Sequence, residues 1–178
     1  NGLTLFDVQE IPTHGGSLRY YAQISETGIH KINENVNKIK EREERNGINS
    51  LEFYKNFQIK TEKIKRDFLN FLISQKNINK KVIGYGAAAK GNTMLNFCGI
   101  RKDLLSYIVD KNPSKQKMFT PGSRIPIYDE NIIKTDKPDF IVIFPWNLKN
   151  EIMHQLSYVK QWDCKFVIAV PNLEVIKK

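Results

Sequence analysis

One stretch restricts this chain more than any other. Val82-Ile83-Gly84-Tyr85 is short and apolar, and it runs straight into the small residues Gly86-Ala87-Ala88-Ala89, with a helical segment from about Ala88 to Phe97. A buried strand, a small-residue turn and a helix, in that order, open a parallel β-α-β unit. The text downstream repeats the pattern. Leu104–Val109 reads as a second strand ending in Asp110, Phe140–Phe144 as a third, Leu148–Val159 as a helix and Phe166–Val170 as a last strand. Pro113, Pro121 and Gly122 mark a loop before the short segment Ile125-Pro126-Ile127. Strands separated by helical text and bounded by Gly or Pro predict a small doubly wound, Rossmann-like α/β domain over residues 50–178, its parallel sheet covered on both faces.

Upstream the periodicity differs. Leu3–Val8 and Leu18–Ile24 alternate as strands on either side of the turn-rich Glu10-Ile11-Pro12-Thr13-His14-Gly15-Gly16, so residues 1–25 predict a β-hairpin. Two strands alone make a marginal sheet, so this hairpin is expected to belong to a larger one. Residues 26–49 read as a connector helix whose thin apolar stripe is Ile32, Val36 and Ile39, stopping at Asn46-Gly47. Ser50 is a natural N-cap for a longer helix with Leu51, Tyr54, Phe57, Ile64, Phe68 and Phe71 on one core-facing stripe.

Composition closes off several classes. With 40% hydrophobic residues, including ten Phe and seven Tyr, the 178-residue chain fills a core rather than staying disordered. Its longest apolar run, Phe140–Trp146, falls far short of the roughly 20 residues that span a membrane. Cys98 and Cys164 show no paired spacing, so neither a disulfide framework nor a structural metal site is expected, and a reducing cytoplasm is the expected location. Residues 31–81 hold 13 basic and 7 acidic residues, a net +6 out of the chain's +9. The signs alternate there, as on a solvated helix face. Lys outnumbers Arg by 22 to 6, whereas base reading leans on Arg, so no nucleic-acid partner is expected.

The chemistry concentrates at residues 84–93. Gly84, Gly86 and Ala89 fit G-x-G-x-x-G/A, a pattern in which the first glycine permits a tight turn, the second lets backbone N–H groups approach an anion, and the third small residue lets helix and sheet pack. A phosphate is expected on the N–H groups of Gly86, Ala87 and Ala88, with Tyr85, Lys90, Asn92 and Thr93 around it. Asp110, ending the next strand, and Asn112 just beyond it are placed to meet a ribose or sugar hydroxyl. A packing turn with no ligand would also account for the glycines. The pattern alone does not separate NAD, S-adenosylmethionine and nucleotide-sugar ligands. Trp146 and Asn147 follow the third strand, where Trp146 is suited to stack on a base and Asn147 to read it or to cap the next helix. His14, beside Gly15-Gly16-Ser17, is the one histidine in a site-like context, either substrate-proximal or simply on a surface loop. No catalytic constellation and no metal-ligand spacing is present in the text.

Five ordered blocks carry a resemblance. His14-Gly15-Gly16-Ser17-Leu18-Arg19, Gly84–Asn96, Tyr107–Gln116, Pro121–Ile127, and Trp146-Asn147 with Glu151-Ile152 resemble the C-terminal part of the sugar C-methyltransferase family. The resemblance implies a parent of three parts: a zinc-binding N-terminal domain, a methyltransferase domain that takes S-adenosylmethionine, and a C-terminal Rossmann-like domain that helps hold a TDP-type keto-sugar. Methyl transfer in the family goes to a sugar carbon after a base removes an adjacent proton. Residues 1–25 then correspond to the last hairpin of the methyltransferase domain. The family's zinc-ligand cysteines, its S-adenosylmethionine loop and its Glu-His acid–base motif have no counterpart here and are expected before Asn1.

The reading that follows is a nucleotide-sugar-binding C-terminal domain without catalytic residues or a cofactor of its own. Its expected partners are a small-molecule nucleotide sugar and an upstream methyltransferase domain of the same chain, with no nucleic acid or membrane. A dinucleotide (NAD)-binding oxidoreductase fragment fits Gly84, Gly86, Ala89 and Asp110 too. A third reading is an interaction module using the basic helices of residues 31–81.

Overall fold

Alternating apolar and polar residues give a strand pair at the start of the chain. β1 (Leu3–Ile11) runs antiparallel to β2 (Ser17–Ile24) through a 3-10 turn at Thr13–Gly15. The computed structural model describes residues 1–177, in two compact units, Asn1–Ile59 and the residues from Lys60 on. In the first unit the ladder is irregular between Leu5 and Asp7, and there the Phe6 carbonyl accepts the Asn33 N–H at 2.7 Å. Asn33 in turn caps α1 (Glu34–Arg45), its side chain accepting the Asn35 N–H at 3.0 Å. α1 packs on β1, and Val8 and Val36 are the buried residues of this unit. The larger sheet expected around the hairpin is not made by the described residues: β1 and β2 form a two-stranded sheet. α1 covers it in place of further strands.

Ser50 does cap a helix, accepting the Phe53 N–H, but that helix is short. α2 (Leu51–Lys55) ends at Asn56, and α3 (Phe57–Asn77) follows. The stripe expected to face a core is buried only from Phe68 onward, at Phe68, Phe71 and Leu72, whereas Leu51, Tyr54 and Phe57 are exposed. Periodicity marks the apolar face of a helix, but not where its covering sheet begins.

The second unit is built on β3 (Val82–Tyr85), α4 (Ala89–Cys98), β4 (Ile108–Val109), β5 (Ile127–Tyr128), α5 (Ile132–Asp136), β6 (Phe140–Ile143), α6 (Lys149–Gln155), β7 (Lys165–Ile168) and β8 (Glu174–Ile176). The sheet order is β5-β4-β3-β6-β7-β8. Five strands are parallel, and β8 closes one edge antiparallel to β7. This is the doubly wound, Rossmann-like α/β fold expected from the alternating text. Every residue of β3 and β6 is buried, which explains why they read as unbroken apolar runs. One face packs Phe68, Leu72, Leu95, Val142 and Phe144; the other packs Ile83, Tyr85, Ile141, Leu156 and Phe166.

Several elements differ from expectation: the helix expected over Leu148–Val159 is α6 followed by a 3-10 helix at Ser157–Trp162, the last parallel strand is Lys165–Ile168 rather than Phe166–Val170, and α5 was not signalled. Leu104 and Leu105 donate to the Arg101 carbonyl in a turn, so the second strand is only Ile108–Val109. Glu174–Ile176 forms a strand that the sequence did not signal, because three residues carry too little alternation to mark one.

A part-buried carboxylate at the end of α5 ties that helix to the second sheet. Asp136 accepts from Lys81 Nζ at 2.6 Å and from the Tyr107 hydroxyl at 2.5 Å. Burial by itself would raise its pKa, but the hydrogen bonds from Lys81 and Tyr107 outweigh it and hold the group below its ordinary value. A depressed folded-state pKa contributes stability that is whole above the unfolded value, about 3.9, and lost as pH falls through the lower folded value. Asp136→Asn is therefore expected to lower the urea midpoint at pH 7, with the gap to wild type closing as acid is added. A gap that stays constant down to about pH 2 would contradict this assignment.

Candidate functional site

β3 ends at Tyr85, and the backbone must turn at once into α4. Gly86 makes the turn at φ 86°, where a side chain costs roughly 1–2 kcal/mol. A Cβ there would also lie 2.7 Å from Pro145 Cδ, at the end of β6. Gly84, expected to permit the turn, instead lies inside β3. A Cβ on it would meet the Phe144 ring at 2.6 Å and Ile108 Cγ1 at 2.8 Å. Gly91, in the first turn of α4, meets Phe144 Cβ and Cγ at 2.7 Å. Phe144 thus fits against both glycines, and the close approach of helix to sheet depends on Gly91 rather than on Ala89.

Asp110 organises the loop. It is 9% exposed, and its Oδ2 accepts the Ala87 N–H at 2.8 Å and Lys115 Nζ at 3.2 Å. Its Oδ1 accepts the Asn112 N–H at 2.8 Å, and Lys115 Nζ also donates to the Ala87 carbonyl at 3.0 Å. Both polar groups of the Ala87 peptide are therefore engaged, and the Gly86 N–H donates to the Val109 carbonyl at 2.8 Å. Two of the three N–H groups expected to hold a phosphate already have partners. The acid expected to meet a ligand hydroxyl also holds the glycine loop in place.

Beside the loop opens a cleft of about 450 Å³. One wall is Gly86–Ala89 with Gly91 and Asn92 of α4; the other is residues 114–121, including Lys115, Met118 and Phe119. The N-cap of α4 is Ala88, with no side-chain cap bond, and the Asp110 carboxylate on the preceding Ala87 N–H is the negative group at this helix terminus. The Asn112 side chain accepts the Ser114 N–H at 3.0 Å, which shapes the turn into the second wall.

The other expected residues lie elsewhere. The Tyr85 hydroxyl bonds Glu130 and Gln155 on the opposite face of the sheet, where burial and the Glu130 carboxylate push its pKa up. The Thr93 hydroxyl donates back to the Ala89 carbonyl within α4. Lys90 Nζ donates to Asn147 Oδ1 at 3.1 Å and stands 5.1 Å from the centre of the Trp146 ring. Asn147 caps no helix: the N-cap of α6 is Leu148, without a side-chain cap bond. Lys90 of α4 forms a separate group with Trp146 and Asn147, which follow β6, and none of the three lines the cleft. His14 is exposed in the hairpin turn of the first unit at φ 55°. Among the described residues no three of His, Cys, Asp and Glu converge as metal ligands, and no helix is long and apolar enough to cross a membrane.

Lys115, Met118 and Phe119 were not singled out by sequence. Lys115 sits in one of the family-like blocks, which marks a segment but no residue within it. An apolar pair in a turn-rich loop is the only sign of Met118-Phe119.

The chain is 28% identical over 176 residues to the C-methyltransferase NovU of Streptomyces niveus, an alignment covering 99% of this chain and 42% of that protein. The chain thus spans less than half the length of the curated relative it matches. A crystal structure of UDP-D-quinovosamine 4-dehydrogenase from Vibrio fischeri is 19% identical, with a TM-score of 0.40, covering 55% of this chain and 93% of that one. That score is too low to bear on function. The sequence profile of the C-methyltransferase C-terminal domain matches residues 12–171, from the hairpin turn through both walls of the cleft to the end of the parallel sheet, and the chain belongs to that family.

Proposed function

We propose that this chain is the substrate-holding C-terminal part of a sugar C-methyltransferase, binding the nucleotide diphosphate of a TDP-type sugar without catalysing transfer itself. The observation that carries the reading is the cleft beside the glycine loop, with the Lys115 ammonium in its wall and no carboxylate, histidine or cysteine lining it. Such a site supplies an anion contact and apolar surface, without the carboxylate, histidine or cysteine on which most proton-transfer and nucleophilic chemistry relies. Its contribution is positioning, which lowers a barrier without touching the reacting bonds. The methyl group in the parent would come from S-adenosylmethionine in an upstream methyltransferase domain of the same chain, behind a zinc-binding domain. A reducing cytoplasm suits the two buried free cysteines, Cys98 and Cys164.

We favour this reading over the NAD-dependent alternative on account of Asp110. In the dinucleotide template that acid reads a ribose hydroxyl; here it holds Ala87, Asn112 and Lys115.

Calorimetric titration of the chain with TDP, NAD and S-adenosylmethionine tests the reading. Saturable binding of TDP alone is expected, weakened about tenfold in Lys115→Ala by loss of a charge-assisted contact. NAD binding would move the assignment to an oxidoreductase fragment. Silence from all three would remove nucleotide binding from this chain.

A further inference from the structure

The segment opposite the glycine loop combines two properties that rarely coincide. Met118 and Phe119 are 59% and 64% exposed, yet the backbone that carries them is pinned at several points. The Lys117 N–H donates to the Ile127 carbonyl at 2.8 Å, and the Ile127 N–H returns to the Met118 carbonyl at 2.9 Å. The Thr120 N–H donates to the Ile125 carbonyl at 2.9 Å, and the buried hydroxyls of Thr120 and Ser123 lie 2.6 Å apart. Asn96 of α4 donates to the Pro121 carbonyl at 3.0 Å, tying this wall to the opposite one. Large apolar side chains held out toward a cleft by a fixed backbone are costly to leave in water and need little ordering when something covers them.

We infer that Met118 and Phe119 are the platform on which the flat ring of the ligand's nucleobase lies, on the β4–β5 side of the glycine loop. This rests on the nucleotide-diphosphate reading above and fixes the direction of the ligand within it. Lys115, the one charged residue among the described residues lining the cleft, is the cation for the diphosphate, its ammonium shared with Asp110 and the Ala87 carbonyl. Phe119, four residues on, offers the ring face. The nucleoside therefore points toward residues 118–119, and the sugar leaves the cleft from the diphosphate end. Trp146, the aromatic residue that the sequence suggested for stacking, follows β6 on the other side of β3, and the Lys90 ammonium already stands over its ring. Base stacking on an aromatic residue tolerates many bases, so the platform selects a nucleotide over bare diphosphate rather than one base over another.

The test is titration of the chain with TDP and, separately, with inorganic pyrophosphate. Phe119→Ala is expected to weaken TDP binding by about tenfold or more while leaving pyrophosphate affinity and the melting temperature unchanged. Phe119→Trp is expected to retain TDP binding. Equal TDP affinity in wild type and Phe119→Ala would overturn the inference. So would a loss of TDP and pyrophosphate together, or a loss with Trp146→Ala in place of Phe119→Ala. Wild-type protein that binds pyrophosphate as tightly as TDP would overturn the platform alone. Wild-type protein that binds neither would overturn the nucleotide-diphosphate reading, and the platform with it.

Discussion

Asp110→Ala is expected to destabilise the second unit by about 3 kcal/mol and to remove nucleotide binding with it. The carboxylate is nearly buried and accepts from the Ala87 N–H, the Asn112 N–H and Lys115 Nζ. Alanine leaves the two N–H groups without their acceptor and frees Lys115 from its ion pair. Hydrogen bonds to a charged group contribute roughly 1.5–3 kcal/mol each, and buried donors left unpaired carry their full desolvation cost. Water reaching the half-exposed Lys115 offsets part of this, which keeps the sum near one strong bond and a fraction of a second. Asp110→Asn should recover little. Its amide has one oxygen, whereas the site has an N–H donor on each side, so one donor would face an NH2 group. Urea unfolding measures the change directly. A loss below about 1 kcal/mol would mean that the loop keeps its shape without the acid, and that Asp110 is available to a ligand after all.

Gly91→Ala is expected to destabilise the protein by about 2–3 kcal/mol, although alanine in a helix normally gains about 1 kcal/mol over glycine. The sign is set by space. Gly91 lies within α4, so its backbone imposes no strain on a side chain, but a Cβ would lie 2.7 Å from Phe144 Cβ and Cγ. Phe144 Cβ is attached to the sheet backbone and cannot rotate away, so helix or strand must shift. Gly84→Ala is expected to cost less, because its nearest contact is the Phe144 ring edge at 2.6 Å, and trimming that ring with Phe144→Leu should relieve part of the cost. The same trim should do little for Gly91→Ala. Non-additivity in the Gly84 pair and its absence in the Gly91 pair is the expected pattern in a double-mutant comparison. A Gly91→Ala protein more stable than wild type would show that α4 stands further from the sheet than described.

Much of the second unit is legible in its residues. Val82–Tyr85 and Phe140–Ile143 are strands because a run of apolar residues buried on both faces has few other outcomes. Ala89–Cys98 is a helix because small and helix-forming residues follow a glycine turn, and Ser50 and Asn33 cap helices by chemistry that acts over three residues. That a glycine turn joins β3 to α4 was readable for the same reason, although the pattern gave the turn to Gly84 and the structure makes it at Gly86. These features depend on neighbours in the chain, which the text displays.

The remainder depends on residues far apart in sequence that meet only after the sheet has formed. Gly84 and Gly91 look like turn and helix residues, yet both are required by Phe144, more than fifty positions downstream. Asp110 has the spacing of a ribose-binding acid but is held by Ala87 and Lys115, because the β3–β4 pairing brings the two strand ends together. Trp146 and Lys90 look like ligand groups and instead meet each other across the β3–β6 pairing. A residue type and its spacing state which bonds a side chain is able to make. Which partner each side chain meets is settled by long-range pairing, and at this cleft that pairing sets Lys115 on Asp110 and the Ala87 carbonyl and leaves Met118 and Phe119 exposed.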